Sequence, residues 1–395
     1  HSHLFVHQSH RKGKLPMNVK ERYLAAYRHE PVDRVPIALS YYHAGFARRH
    51  FANRNEGTNP VDASIEHHTR YGFDPYYYLR GVGSDWFLPQ PSDAGAGDEW
   101  QVTKVATQEP GGLMRTDYTI ETGGGQLSCV RRQTPDDFGI IEEPFIKEEG
   151  DMEILRYRPH PRYVVNPDLI RSDFDAAGNR CWTKISLPGA WTLASFFRGP
   201  ERIIYDCHDR PDWVKRFLGL LAEYQVELVR EIGRSKVDTT LRIDASFVGF
   251  GLSRDMFTEF IQPHETRIVK AGHDAGFRVH LHICGKKNAF LEDLADMALD
   301  GLETLTPSSA AGDGELADAK RRIGDRVCLM GGFPSHTLTF CSPREIEEEV
   351  KACIDKAAPG SGYILSPSGR VDPETPEKNL FAFTDAGRKY GAAWC

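Results

Sequence analysis

His280, His282 and Cys284 alternate with Val279, Leu281 and Ile283 through residues 278–285, a run that stops at Gly285. Side chains two apart on a strand share a face, so an extended backbone here gathers two imidazoles and a thiol opposite three apolar groups. Imidazole nitrogen and thiolate sulfur are ligands that zinc prefers, and His282 with Cys284 could share one ion. The same residues have a structural reading, with Cys284 as a small buried hydrophobe and the histidines as satisfied core groups. Asp244 and Glu303 occupy neighbouring apolar runs and would add two carboxylates, completing a ligand and acid–base set if the runs converge.

Convergence depends on the elements that carry these residues. Apolar or β-branched runs at 34–39, 74–80, 182–187, 239–244, 278–284, 301–306, 327–332 and 363–366 read as short buried strands. Helical patterns lie between most of them, at 211–233, 253–275, 290–298, 314–323 and 343–358. Strand–helix alternation implies parallel strands with right-handed crossovers, and eight such units favour an α/β fold of the (β/α)8 TIM-barrel type. In that architecture the residues after each strand share one mouth. Tyr41, Tyr42 and His43, Trp191, Asp244 with Ser246, His282 with Cys284, and Glu303 would line it. Tyr41, Tyr42, His43, Trp191 and Ser246 are the candidate substrate contacts, and such an aromatic mouth with few cations suits an apolar or aromatic substrate. Tyr76, Tyr77 and Tyr78 read as core and rim packing.

Residues 99–132 break the pattern. Alternating stretches punctuated by Gly111-Gly112 and Gly123-Gly124-Gly125 read as antiparallel hairpins inserted into the α/β body. Residues 1–16 are basic and histidine-bearing without an apolar core, and read as a tag or extension ahead of one domain at 17–395. A net charge of −7 argues against nucleic acid or an anionic membrane as partner, and no apolar run is long enough to cross a bilayer. The eight cysteines show no framework spacing, which fits free thiols in the cytoplasm.

Several stretches together resemble one known family. The opening Glu21-Arg22-Tyr23-Leu24-Ala25-Ala26-Tyr27-Arg28-His29-Glu30-Pro31-Val32-Asp33-Arg34-Val35-Pro36 is similar to the amino-terminal signature of the uroporphyrinogen decarboxylase superfamily. Gly189-Ala190-Trp191-Thr192-Leu193, His282-Ile283-Cys284-Gly285, Leu329-Met330-Gly331-Gly332 and Pro373-Glu374-Thr375-Pro376 extend the likeness from Met17 onward. The resemblance implies a (β/α)8 barrel. It also bears on the chemistry, because the paired arginines of true decarboxylases are replaced here by Tyr42-His43-Ala44-Gly45-Phe46, their tyrosine by Phe196 and their late histidine by Gly369.

The corrinoid-dependent methyltransferase branch resembles this chain more closely. It implies zinc held by His282 and Cys284, a methyl group passed between a small molecule and cobalamin on a separate corrinoid protein, and a small-molecule methyl donor or acceptor. The late cysteine of that branch is absent from Ser366-Pro367-Ser368-Gly369, so Glu303 or His336 would supply the third ligand. Without metal, His280 or His282 would act as the acid–base group, with Asp244 orienting substrate. O-demethylation of an aromatic methyl ether is one concrete expectation. The alternatives are a decarboxylase or lyase acting on a smaller, less charged acid, and a non-catalytic ligand-binding barrel.

Overall fold

Seven short, largely buried parallel strands carry the site residues in a computed structural model that describes residues 16–39, 42, 44–51, 59–83, 88, 99–134 and 139–394. Their order is β1 (Tyr76–Tyr78), β6 (Trp182–Pro188), β7 (Thr240–Asp244), β8 (Arg278–His282), β9 (Gly301–Leu305), β10 (Cys328–Phe333) and β11 (Tyr363–Pro367). Each strand neighbours the next along the chain, as parallel strands joined by helical crossovers must. Between β1 and β6 lies a separate antiparallel sheet of β2 (Trp100–Gln108), β3 (Met114–Thr122), β4 (Gly125–Gln133) and β5 (Ile140–Glu143). The hairpins expected at 99–132 are β2 to β4, and β5 adds a fourth strand beyond them.

The expected strand at 34–39 forms no ladder. Ile37 makes one isolated parallel bridge with Leu365, while Leu365 N donates to Pro36 O and Ala38 N to Leu365 O. Pro36 lacks an N–H, which interrupts continuous pairing. On the other side Asp74 N donates to Ile37 O, just ahead of β1. Asp74 anchors this segment with its side chain too, binding Arg22, Arg34 and the Ile37 N–H. The helix expected over 253–275 is also broken, into Arg254–Met256, a π-helical turn at Phe257–Ile261 and Gln262–Asp274. Pro263 cannot donate to the preceding turn, which accounts for the break there.

The sheet has two chemically different faces. Leu241, Ile243, Val279 and Leu281 are buried in the main apolar core with residues of the flanking helices. The other face holds a smaller cluster in which Tyr23 and Tyr27, from the Val19–Tyr27 helix, pack against Trp182 at ring separations of 5.8 Å. Charged side chains share this second face. Among the described residues no helix is long and apolar enough to cross a membrane, and the seven described cysteines are free thiols.

Candidate active site

Register places the candidate residues at one level. Asp244 on β7 is paired with His282 on β8, and His282 with Glu303 on β9. One step earlier, Arg242 is paired with His280 and His280 with Gly301. Glu303, 2% exposed, is the hub. Its Oε1 accepts from Arg242 Nε at 2.7 Å and from His282 Nδ1 at 2.7 Å. Its Oε2 faces Lys184 Nζ at 3.6 Å and His280 Nε2 at 3.2 Å. Burial alone would raise this carboxyl, but Lys184, Arg242 and His280 hold it well below the usual range. Arg242 Nη1 also binds Asp244 Oδ2 at 3.1 Å and Ser186 Oγ at 3.0 Å, while Ser246 donates its hydroxyl to Asp244 Oδ1 at 2.6 Å.

The two histidines take different charge states. Burial pushes His280 down to about 4, so it is neutral, and Tyr27 Oη lies 2.9 Å from its Nδ1. Gly301 makes that pairing possible, because a Cβ there would stand 2.5 Å from His280 Nδ1 and 2.8 Å from the Tyr27 ring. For His282, burial and Arg242 pull downward, yet Cys284 and Glu303 hold it up to about 9. Burial likewise opposes ionisation of Cys284, and His282 overrides it, lowering the thiol. With Sγ 3.3 Å from His282 Nε2, the pair sets a thiol with a lowered pKa against an imidazolium, which favours its thiolate form.

Cys284 lies just past the β8 ladder, and its position is set by a turn from a neighbouring strand. Lys286 N donates to Gly249 O, and a Cβ on Gly249 would stand 1.6 Å from Cys284 O. Only glycine admits that approach, which brings Cys284 Sγ within 3.9 Å of Ser246 Oγ.

His280, His282, Cys284, Asp244, Ser246 and Glu303 therefore meet, and three further residues hold them that sequence reasoning missed: Tyr27, Lys184 and Arg242. The signal for the two cations was a charge at an alternate position inside an otherwise apolar strand. Trp191 is 1% exposed within the main core, and its backbone N–H is held by Glu265. Tyr42 packs against Phe46 with a ring separation of 5.5 Å and pairs with Val371, while Tyr41 and His43 lie outside the described residues. Lys184 and Arg242 are committed to Glu303 and Asp244, and Lys287 Nζ donates to Gly285 O and Thr304 O, so these three cations are taken up within the protein.

The donor chemistry of His282 Nε2 and Cys284 Sγ suits zinc, but two donors do not complete a site. Among the described residues no group of three His, Cys, Asp or Glu side chains is placed to hold a metal. Glu303 is directed at His282 Nδ1 and its cations, His336 is exposed, and the Ser368 hydroxyl is taken up by Leu305 O and Gly332 N.

The uroporphyrinogen decarboxylase (URO-D) family profile matches residues 184–390, just over half of the chain. A methylcobamide:CoM methyltransferase, MtaA, of Methanosarcina barkeri is 33% identical over 141 residues, covering 36% of this chain and 38% of the relative. MtaA of the Fusaro strain is 27% identical over 206 residues, covering 52% and 58%. The chain thus spans well under two thirds of the length of these curated relatives. A uroporphyrinogen decarboxylase of Dechloromonas aromatica is 26% identical over 200 residues, covering 49% and 52%. Among solved structures, a methyltransferase from Methanosarcina mazei superposes over 95% of this chain and 99% of its own, with a TM-score of 0.64 at 20% identity, a likeness of fold.

Proposed function

This chain belongs to the uroporphyrinogen decarboxylase family, and within that family we propose that it transfers a methyl group between a small molecule and a corrinoid carried by a partner protein. The likeness to methylcobamide:CoM methyltransferases supports this reading. The observation that carries it is the His282–Cys284 pair, 3.3 Å apart and backed by Glu303. In this reading the segment at 36–39 serves as the eighth stave, closing the parallel sheet into a (β/α)8 barrel around that pair.

The concrete reaction is O-demethylation of an aromatic methyl ether. A reduced corrinoid on the partner would supply the electron pair that takes up the methyl carbon, with the carbon–oxygen bond breaking toward oxygen. His282 Nε2–H gives its proton to the departing aryl oxygen, so the products are a phenol and a methylated corrinoid. Cys284 and Glu303 keep His282 protonated at neutral pH, and Asp244 with Ser246 orients the substrate. With two protein donors at hand, zinc is given no step.

The test is anaerobic incubation with cob(I)alamin and 2-methoxyphenol, read by the methylcobalamin spectrum, beside the reverse-direction assay of methylcobalamin with a thiol. His282→Gln should slow transfer by about 10²–10⁴-fold, the usual contribution of a positioned acid. No methyl transfer in either direction refutes the reading.

A further inference from the structure

A second cavity lies beside this site, of ≈ 490 Å³, lined by Tyr42, Tyr76, Tyr77 and Tyr78 together with His67 and His68 of the Pro60–Arg70 helix. That volume falls within the range of about 300–1,000 Å³ usual for small-molecule pockets. Among the described residues no carboxylate, lysine or arginine lines it. Its walls are those of a site for a neutral aromatic ring, which packs against tyrosine edges and faces.

His68 gives the cavity a polar demand. The side chain is 1% exposed, and its ring meets that of Tyr76 edge-on at 4.8 Å. Nδ1 lies 2.7 Å from Ser64 O, and a carbonyl can only accept, so Nδ1 carries the proton. Burial lowers His68 to about 4, which leaves Nε2 as a bare lone pair. Among the described residues that Nε2 has no hydrogen-bond partner. A buried acceptor left unpaired is costly, and what satisfies it must be a donor.

We infer that this cavity binds an aromatic compound bearing a hydroxyl or amine hydrogen, donated to His68 Nε2 while the ring lies among Tyr42, Tyr76, Tyr77 and Tyr78. The cavity also touches the site already described through Tyr76, whose ring lies 5.0 Å from Lys184 Nζ, the cation facing Glu303. His282, Cys284, Asp244 and Ser246 are not among the described residues that line the cavity, so the molecule held here is not the one under attack. In the setting of methyl transfer it is a waiting methoxylated phenol or its departing product, and only that assignment of role rests on the proposed function.

Calorimetric titration of the full chain tests the inference with 2-methoxyphenol against 1,2-dimethoxybenzene, which keeps the ring and loses the donor. Wild type should bind the phenol about tenfold more tightly, the value of one hydrogen bond. His68→Phe should erase that preference, and Ala63→Phe, on the half-buried face of the same helix, should fill the cavity and abolish binding of both. Cys284→Ala should bind the phenol as wild type does. Equal affinity of wild type for the two compounds, or binding of neither, overturns the inference. Phenol binding without methyl transfer refutes the proposed function and leaves the cavity assignment standing. Methyl transfer with an unchanged KM in His68→Phe does the reverse.

Discussion

Replacing Glu303 by glutamine keeps the shape of the hub and removes its charge. Counting Lys184 as protonated and Cys284 as ionised, the cluster holds three cations, Lys184, Arg242 and His282, against three anions, Asp244, Glu303 and Cys284, with His280 neutral. Glu303→Gln leaves one buried positive charge uncompensated. Breaking a buried pair by removing one partner costs about 3–5 kcal/mol. For a chain of 395 residues, an unfolding entropy of about 2.1 cal/mol/K per residue turns this into a midpoint lower by about 4–6 °C. The decisive measurement is a thermal or urea unfolding cycle with Lys184→Met. Removing both charges restores neutrality, so the double variant should be about 1–3 kcal/mol more stable than the sum of the single losses implies. Strict additivity, or a single variant within about 0.5 kcal/mol of wild type, would refute the view of Glu303 as the hub of a charge-balanced cluster.

Cys284 should be alkylated by iodoacetamide at pH 7 well ahead of Cys129, Cys207, Cys328 and Cys353, whose thiols burial pushes up to about 12; peptide mapping reads the order, and His282→Gln should slow the Cys284 rate by about tenfold. The same pair sets a pH window for stability. The raised His282 contributes fully below its ordinary 6.5 and is lost as pH rises through about 9, while the lowered Cys284 contributes above its ordinary 9.0 and is lost as pH falls through its folded value; between about pH 7 and 9 the two trends oppose and cancel, so the pair should leave the unfolding midpoint flat there, and a steep fall across that range would contradict this. Asp74→Ala should destabilise by about 3 kcal/mol or more in urea unfolding, because it strands Arg22 and Arg34 and removes the acceptor of Ile37 N; a loss under about 0.5 kcal/mol would mean that the segment is held by other contacts.

Much of the scaffold was legible in the chain itself. Buried parallel strands are short apolar runs, helices between them have their own period, and both signals are local, so β6 to β11 fall within a residue or two of the expected runs. The period of two places His280 and His282 on one face of β8, whereas Cys284 follows the strand and is positioned by the turn at Gly249. Pro36 and Pro263 were visible too, but what they interrupt depends on which partner would have needed the missing N–H, and that partner is distant in sequence.

The roles of the site residues were decided by tertiary structure. The absent late cysteine makes Glu303 or His336 the expected third metal ligand, whereas the neighbours of Glu303 in the fold are Arg242, His282 and Lys184, each from another strand. His280 and His282 are two residues apart, yet one is held neutral by burial and the other is held protonated by Cys284 and Glu303. Nothing in their spacing separates them, because a charge state is set by the sum of groups that arrive from elsewhere in the chain. Residue type and period determined which groups could meet. Only packing decided which of them carries the charge, which holds it in place, and that a buried nitrogen of His68, in the wall of a cavity, has no hydrogen-bond partner among the described residues.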